Sequence, residues 1–209
     1  MALSAHRLSP VENGLSYLPT MDAQPPVGRP QRRAAHAGAA THDKRSRPTA
    51  AILDSQSVKS AGHGGSVGYD AGKRIKGRKR HLLVDTLGLV LGVVVTPASI
   101  TERAGAQLLL GRVLGWFTWL RILWVDGGYT GESFAQWVKG LRPKLAVAVI
   151  KRSDTAKGFK VLARRWVVER TFGWLMHQRR LVRDYETTES SAVAWIYIAM
   201  IRIQLRRLA

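Results

Sequence analysis

The sequence has no cysteine, few acidic residues and no apolar run long enough to span a membrane. The absence of cysteine excludes both disulfides and thiolate zinc sites. The apolar run at residues 192–201 is about half as long as a bilayer requires and arginines follow it, so it predicts a buried packing helix. Met1 is followed by neither a basic segment nor a long apolar one, which argues against a signal peptide.

The shortage of acid leaves a large excess of positive charge. The chain has 33 Lys and Arg against 14 Asp and Glu, a formal net charge of +19, and residues 49–209 alone carry +15. Such an excess implies an anionic partner, with nucleic acid as the first candidate and an anionic membrane as the second. Charge alone favours a basic binding protein without catalysis over an enzyme.

Composition divides the chain near residue 49. Residues 1–48 are rich in Ala, Arg, Pro and His, contain a single aromatic residue, Tyr17, and predict a disordered segment. Regular patterns begin at residue 50 and predict one α/β domain with a mixed sheet flanked by helices. The predicted elements are a strand at 50–59, a Gly- and Lys-rich loop at 60–79, a hairpin at 80–96, a helix at 101–118, a strand at 121–126, a helix at 131–141, a strand at 145–150, and helices at 158–180 and 190–208.

Three acidic residues are candidates for a site that holds magnesium, which prefers hard oxygen ligands. Asp54 lies inside an apolar strand, where it either caps a turn or faces a site. Asp126 ends a strand and precedes two glycines, which suits a ligand position or an ordinary strand-to-helix turn. Glu169 lies among aromatic residues on a helix, either as a ligand or as the ion-pair partner of Arg165 four residues earlier.

Other polar residues near these candidates have simpler interpretations. Asp85 precedes a turn near Leu87-Gly88 and is assigned to that turn. Asp70 is expected to be solvated. His63 and His81 are expected to be surface or structural residues. No G-K-S/T run opens a helix after a strand, so the loop at 60–79 is not a P-loop.

Long stretches of the chain resemble the DDE transposases of the insertion-sequence-five family. The resemblance covers about residues 50–190. It is carried by AAILDSQSVKS, GYDAGKRIKGRKRHLLVDTLGLVLGVVVTPASITER, WVDGGYTG, RRWVVERTFGWL and RRLVRDYE.

The resemblance implies a ribonuclease H-like fold and magnesium-dependent DNA strand cleavage and transfer at the inverted ends of a bacterial insertion sequence. The catalytic and metal-binding carboxylates of the family fall on Asp54, Asp126 and Glu169, which would hold two Mg²⁺ ions, with Mn²⁺ as a substitute. The basic residue ahead of the family's glutamate matches Arg165. The chain departs from the wider signature at Leu162, where a tyrosine is expected, and at Met176, where a basic residue is expected.

The implied partner is double-stranded DNA, as terminal inverted repeats and target. The positions predicted to bind DNA are Lys73, Arg74, Lys76, Arg78, Lys79, Arg80, Arg165, Arg179 and Arg180. The resemblance further implies a homo-oligomer on DNA, no membrane association, and a place in the cytoplasm at the nucleoid. Residues 1–48 differ from the folded N-terminal segment usual in the family, and our hypothesis is that they are translated from another reading frame. The alternative to an enzyme is a DNA-binding protein without catalysis, including a truncated transposase remnant.

Overall fold

A computed structural model describes residues 47–62, 65–150 and 163–208. The strands are β1 (Ala50–Lys59), β2 (Gly68–Asp70), β3 (Ile75–Asp85), β4 (Val90–Pro97), β5 (Ile122–Val125) and β6 (Ala146–Val149). The α-helices are α1 (Glu102–Val113), α2 (Glu132–Leu141), α3 (Ala163–Met176) and α4 (Glu189–Leu208). Single 3-10 turns lie at Leu114–Trp116, Gly127–Tyr129 and Arg179–Leu181.

The six strands form one mixed sheet. β1 pairs with β3 antiparallel and with β5 parallel, and β6 extends the parallel side. Both β2 and β4 pair with β3, β2 near its beginning and β4 along the rest. The predicted α/β class is confirmed, and the arrangement is the mixed sheet with flanking helices of a ribonuclease H-like fold.

Side chains alternate between the two faces of the sheet, and each face is covered by a different pair of helices. Ala51 and Leu53 of β1 pack in the core with α1 and α2, whereas Ile52 packs in the core with α3 and α4. The alternation follows from the two-residue period of an extended strand. By the same period, Asp54 lies on the face that α3 and α4 cover.

The hairpin prediction is confirmed, including the role of Asp85. The Asp85 carboxylate accepts hydrogen bonds from the backbone N–H of Leu87 at 2.8 Å and of Leu89 at 2.9 Å. Gly88 adopts φ +84°, a conformation that glycine reaches without a side-chain penalty. Asp85 therefore holds the β3–β4 turn.

The prediction of a loop over residues 60–79 is wrong in its second half, which contains β2 and the beginning of β3. Asp70 stabilises this part because its carboxylate accepts hydrogen bonds from Ser57 Oγ at 2.6 Å and Lys73 N at 3.1 Å. It also pairs with Lys79 at 3.2 Å. Burial acts to raise the pKa of Asp70, but these bonds outweigh it and lower the pKa to about 2. Asp70 is thus a structural anion, contrary to the expectation that it is solvated.

Several predictions concern residues outside the described ranges. These are residues 1–46 of the disordered segment predicted at 1–48, His63, Leu162 and the first five residues of the helix predicted at 158–180. Within the described ranges, none of the helices combines the length and the apolar character that crossing a bilayer requires.

Candidate active site

Asp54 and Asp126 are brought together by the parallel pairing of β1 with β5. The last pair in that register is Ile52 with Trp124. Asp54 and Asp126 each lie two residues beyond that pair, and the charge of Asp126 acts on the carboxyl group of Asp54. Asp126 caps the 3-10 turn that follows β5, because its carboxylate accepts a hydrogen bond from Gly128 N at 2.8 Å.

Glu169 of α3 is linked to Asp126 by Arg165, whose guanidinium contacts both carboxylates. Arg165 Nη2 lies 3.8 Å from Asp126 Oδ2 and 3.4 Å from Glu169 Oε1. The separation of the two carboxylate oxygens therefore cannot exceed the sum of those two distances. Arg165 therefore forms the ion pair with Glu169, four residues later. The same Arg165 guanidinium also contacts Asp126 at the end of β5.

The carboxyl group of Asp54 is destabilised as an anion. Burial is the largest cause and raises its pKa to about 7, against an ordinary value of 3.8. A hydrogen bond donated by Ser55 N at 2.7 Å and the charge of Arg165 oppose the shift, while the charges of Asp126 and Glu102 add to it. A carboxyl group that resists ionisation beside other carboxylates is typical of a functional site.

Glu102 is a fourth acidic residue at this site, and the sequence did not single it out. Its carboxylate accepts a hydrogen bond from Ser55 Oγ and pairs with Lys73 Nζ, both at 3.1 Å. A Cβ added at Gly128 would lie 2.5 Å from Glu102 and 3.1 Å from Asp126, so both side chains crowd that glycine. Glu102 follows the helix cap Thr101, where an acidic residue is expected for the helix dipole alone, and this masked its second role.

The buried side chain of Tyr129 lies close enough to these carboxylates for their charges to shift its pKa. Its burial raises the pKa of the hydroxyl well above the ordinary value, and the charges of Asp54, Glu102 and Asp126 raise it further. Three carboxylates from β1, α1 and the end of β5 thus act on one side chain. The site combines residues from both faces of the sheet where β5 ends.

The donor set fits hard divalent cations such as magnesium, because its ligands are carboxylate oxygens without sulfur or imidazole. In the described ranges, no three His, Cys, Asp or Glu side chains are close enough together, as placed, to hold one ion. The Arg165 guanidinium is the cation between Asp126 and Glu169. A metal ion bound by both carboxylates would need this guanidinium to move aside.

Three of the residues predicted to bind DNA lie at the surface, and one of them, Lys73, borders the site. Lys73 is 43% exposed and pairs with Glu102, which places it at the rim of the acidic site. Arg74 and Lys76 are exposed, and Arg74 has φ +53° in the turn between β2 and β3. These side chains can reach a ligand on the protein surface.

Arg78, Lys79 and Arg80 differ from that expectation, because all three are buried with internal partners. Arg78 pairs with Asp184 at 3.1 Å, and Arg80 donates to the carbonyl of Leu181 at 2.8 Å. Burial lowers the pKa of Arg80 to about 10. Lys79 pairs with Asp70. Their placement corrects the prediction that the whole basic run faces phosphate: the three side chains stabilise the fold.

The last two predicted arginines, Arg179 and Arg180, are both exposed and differ in their partners. Arg180 pairs with Glu186 at 2.8 Å, and its guanidinium lies 4.7 Å from the centre of the Trp195 ring. His81 is a structural residue, as expected. It is fully buried against Thr96, and burial, together with the charges of Lys79 and Lys73, lowers its pKa to about 3.

The chain is similar to several known proteins. A Burkholderia cepacia protein assigned as a transposase for insertion sequence element IS402 is 30% identical over 117 residues, which are 53% of this chain and 54% of that protein. The matched stretch thus spans about half of that relative's length. The catalytic core domain of BIV integrase is 16% identical, with a TM-score of 0.45, over 74% of this chain and 82% of that one. The Mos1 mariner paired-end complex with Mn is 12% identical, with a TM-score of 0.39, over 99% of this chain and 65% of that one.

The family model of the transposase DDE domain matches residues 45–203. That stretch includes every strand and helix described above except the end of α4. It also includes the four carboxylates of the site. The chain therefore belongs to the DDE transposase family.

Proposed function

We propose that this chain cuts and joins DNA at the ends of a bacterial insertion sequence of the insertion-sequence-five group, with Asp54, Asp126 and Glu169 as its catalytic carboxylates. The observation that carries the proposal is the single guanidinium of Arg165 within 4 Å of both Asp126 and Glu169, with Asp54 adjoining through the strand register. Arg165 and the strand register thus bring carboxylates from three separate elements into one region, although their mutual repulsion opposes it.

The same three side chains would hold magnesium, or manganese in its place. Two such ions, when bound, activate the attacking oxygen and stabilise the leaving oxygen of a phosphodiester. Asp54 would bring a carboxyl whose ionised form is disfavoured by burial and would be stabilised by a bound cation. Arg165 would be free to contact a DNA phosphate, and Lys73 at the rim would add positive charge there.

Double-stranded DNA is the proposed substrate, both as the element's inverted ends and as target. The net charge of +15 over residues 49–209 supports this because phosphate neutralisation drives such binding. Joining two ends in one event would require more than one copy of the chain on DNA. A protein that acts on the bacterial chromosome would be found in the cytoplasm at the nucleoid.

The test is strand cleavage and transfer with Mg²⁺ on DNA that carries the element's own ends. Asp126→Asn keeps the shape of the side chain but removes a charge that the cation needs, so we expect cleavage to disappear. DNA affinity without metal should stay the same or rise slightly, since a negative charge near phosphate is removed. Asp85→Asn is the matched control, because the remaining amide oxygen can still accept the turn hydrogen bonds, and cleavage should persist.

A DNA-binding protein without catalysis is the second candidate. It is favoured by the absence, over the described residues, of three side chains close enough together to hold one ion as placed. Wild-type protein that binds the ends but shows no metal-dependent cleavage would support this candidate. Equal loss of cleavage, binding and thermal stability in Asp126→Asn would assign that residue a structural role.

A further inference from the structure

A cavity lies at the carboxyl end of β1, away from the acidic site. Its volume is about 460 Å³, within the range of pockets that hold small ligands. The charged side chains that line it are all basic: Lys59, Arg74, Lys76 and Arg183. The four are exposed, and none forms an ion pair within the described part of the chain.

The wall that contributes Arg183 is held in place by buried contacts. Asp184 N donates to the carbonyl of Lys59 at 2.9 Å, and Ala61 N donates to the carbonyl of Asp184 at 2.7 Å. The Arg78 guanidinium binds the Asp184 carboxylate and donates to the carbonyls of Glu186, Thr187 and Thr188 at 2.9 to 3.2 Å. Asp184 is therefore neutralised by Arg78 and does not offset the charge of the cavity.

The cavity also offers an aromatic surface. Tyr69 is 55% exposed and Val67 is 37% exposed, and both line it. Tyr69 stands opposite Lys76 in the pairing of β2 with β3. Gly77 also lines the cavity, at a point where β1 packs so closely that a side chain would collide with the backbone carbonyl of Val58. Four uncompensated cations around an exposed tyrosine match the two halves of a nucleotide, a phosphate and a flat base.

We propose that this cavity binds an unpaired nucleotide of a DNA strand, with its phosphate on the four basic residues and its base on Tyr69. The bases of an intact duplex stack on each other, so only an unpaired base can reach the ring. Lys59 lies five residues beyond Asp54 on β1, which is roughly 16 Å of extended strand. At about 3.4 Å per nucleotide of B-form DNA, the cavity would lie roughly five nucleotides from the acidic site.

The inference deepens the proposed function, which supplies DNA as the ligand, but it is tested by binding without metal. The probe is a short fluorescent oligodeoxythymidylate, titrated by anisotropy against full-length protein at several salt concentrations. Lys59→Gln with Lys76→Gln should lower the slope of log K against log salt by about 0.7 for each phosphate that is no longer neutralised. Lys139→Gln with Lys144→Gln is the matched control, because both lysines are exposed on or just after α2 and the pair removes the same charge. A control pair that lowers the slope equally overturns the proposal.

The aromatic half is tested at Tyr69. Tyr69→Ala should weaken binding of the oligonucleotide by roughly tenfold, the effect of removing the platform for one stacked base, and Tyr69→Phe should restore it. Unchanged binding in Tyr69→Ala, with an unchanged melting temperature, would overturn the proposal. So would displacement of the probe by inorganic phosphate at matched ionic strength, since the cavity would then be a site for small anions.

The outcome is separable from that of the proposed function. If the cavity variants bind like wild type while cleavage by wild type depends on metal, only this inference fails. If wild type cleaves nothing while the cavity variants lose oligonucleotide binding, this inference stands and the proposed catalysis fails.

Discussion

Replacing Asp54 by Asn should make the protein more stable at neutral and alkaline pH. The buried carboxyl has a pKa of about 7 in the fold against an ordinary value of 3.8. Burial is the main reason, and the charges of Asp126 and Glu102 contribute. Asn has nearly the same shape and no charge, so it removes both the cost of burying a charge and the repulsion from Asp126 and Glu102. Active-site residues often reduce stability in this way because their arrangement serves the reaction.

The pH dependence follows from the direction of the shift. The folded protein holds the Asp54 proton more tightly than the unfolded chain, so this group favours folding below about pH 4 and loses that contribution as the pH rises to about 7. At roughly 1.4 kcal/mol per pH unit between the two pKa values, the ionised carboxylate costs the folded state about 4 kcal/mol at pH 8. Asp54→Asn should therefore match wild type near pH 4 and exceed it by about 2 to 4 kcal/mol at pH 8, a rise in Tm on the order of 10 °C.

The assay is urea unfolding, followed by tryptophan fluorescence at pH 4, 6 and 8 without divalent metal. Asp184→Asn is the control, because it is the same substitution at a buried aspartate with a structural role. It leaves the Arg78 guanidinium buried without its partner and should lower stability by about 3 to 5 kcal/mol. The reasoning about Asp54 is refuted if Asp54→Asn is less stable than wild type at pH 8, or if the difference does not change with pH.

Three further results are expected. Arg165→Ala removes the cation between the site carboxylates, so Mg²⁺ should raise the Tm at several-fold lower concentration than in wild type; a requirement for more Mg²⁺ would contradict this. Arg78→Met should lower the free energy of unfolding, measured in urea, by about 3 to 5 kcal/mol, because it leaves the Asp184 carboxylate buried without its partner, whereas Arg179→Met at an exposed position should have little effect. Gly105→Ala would push a methyl group into the buried ring of His81, so we expect a loss of about 1 to 3 kcal/mol; unchanged stability would show that α1 can shift.

Local patterns were sufficient to predict much of the sheet. Apolar runs marked β1, β5 and β6, and the Leu87-Gly88 turn with Asp85 marked the hairpin, because these features depend on neighbours in the chain. The roles of Asp54, Asp126 and Glu169 came from the family resemblance, since each residue alone also suited a turn or an ion pair. Their catalytic role stays a prediction.

Features that depend on distant partners could not be predicted. Arg78 is 1% exposed because its partner Asp184, 106 residues away, satisfies its charge inside the protein. In the sequence it belongs to a basic run that is typical of a solvated loop. Glu102 was missed for a related reason: its position suits a helix start, and only the fold brings it to Ser55 and Lys73.

The most direct test of the metal-binding centre is to locate manganese by anomalous diffraction in crystals of the full chain soaked with Mn²⁺. We expect density between Asp54 and Asp126, with Glu169 as a further ligand, a pair of ions about 4 Å apart, and Arg165 turned away from both carboxylates. Density at other carboxylates alone, or none at a concentration that saturates binding in solution, would contradict the assignment of these residues as the metal-binding centre.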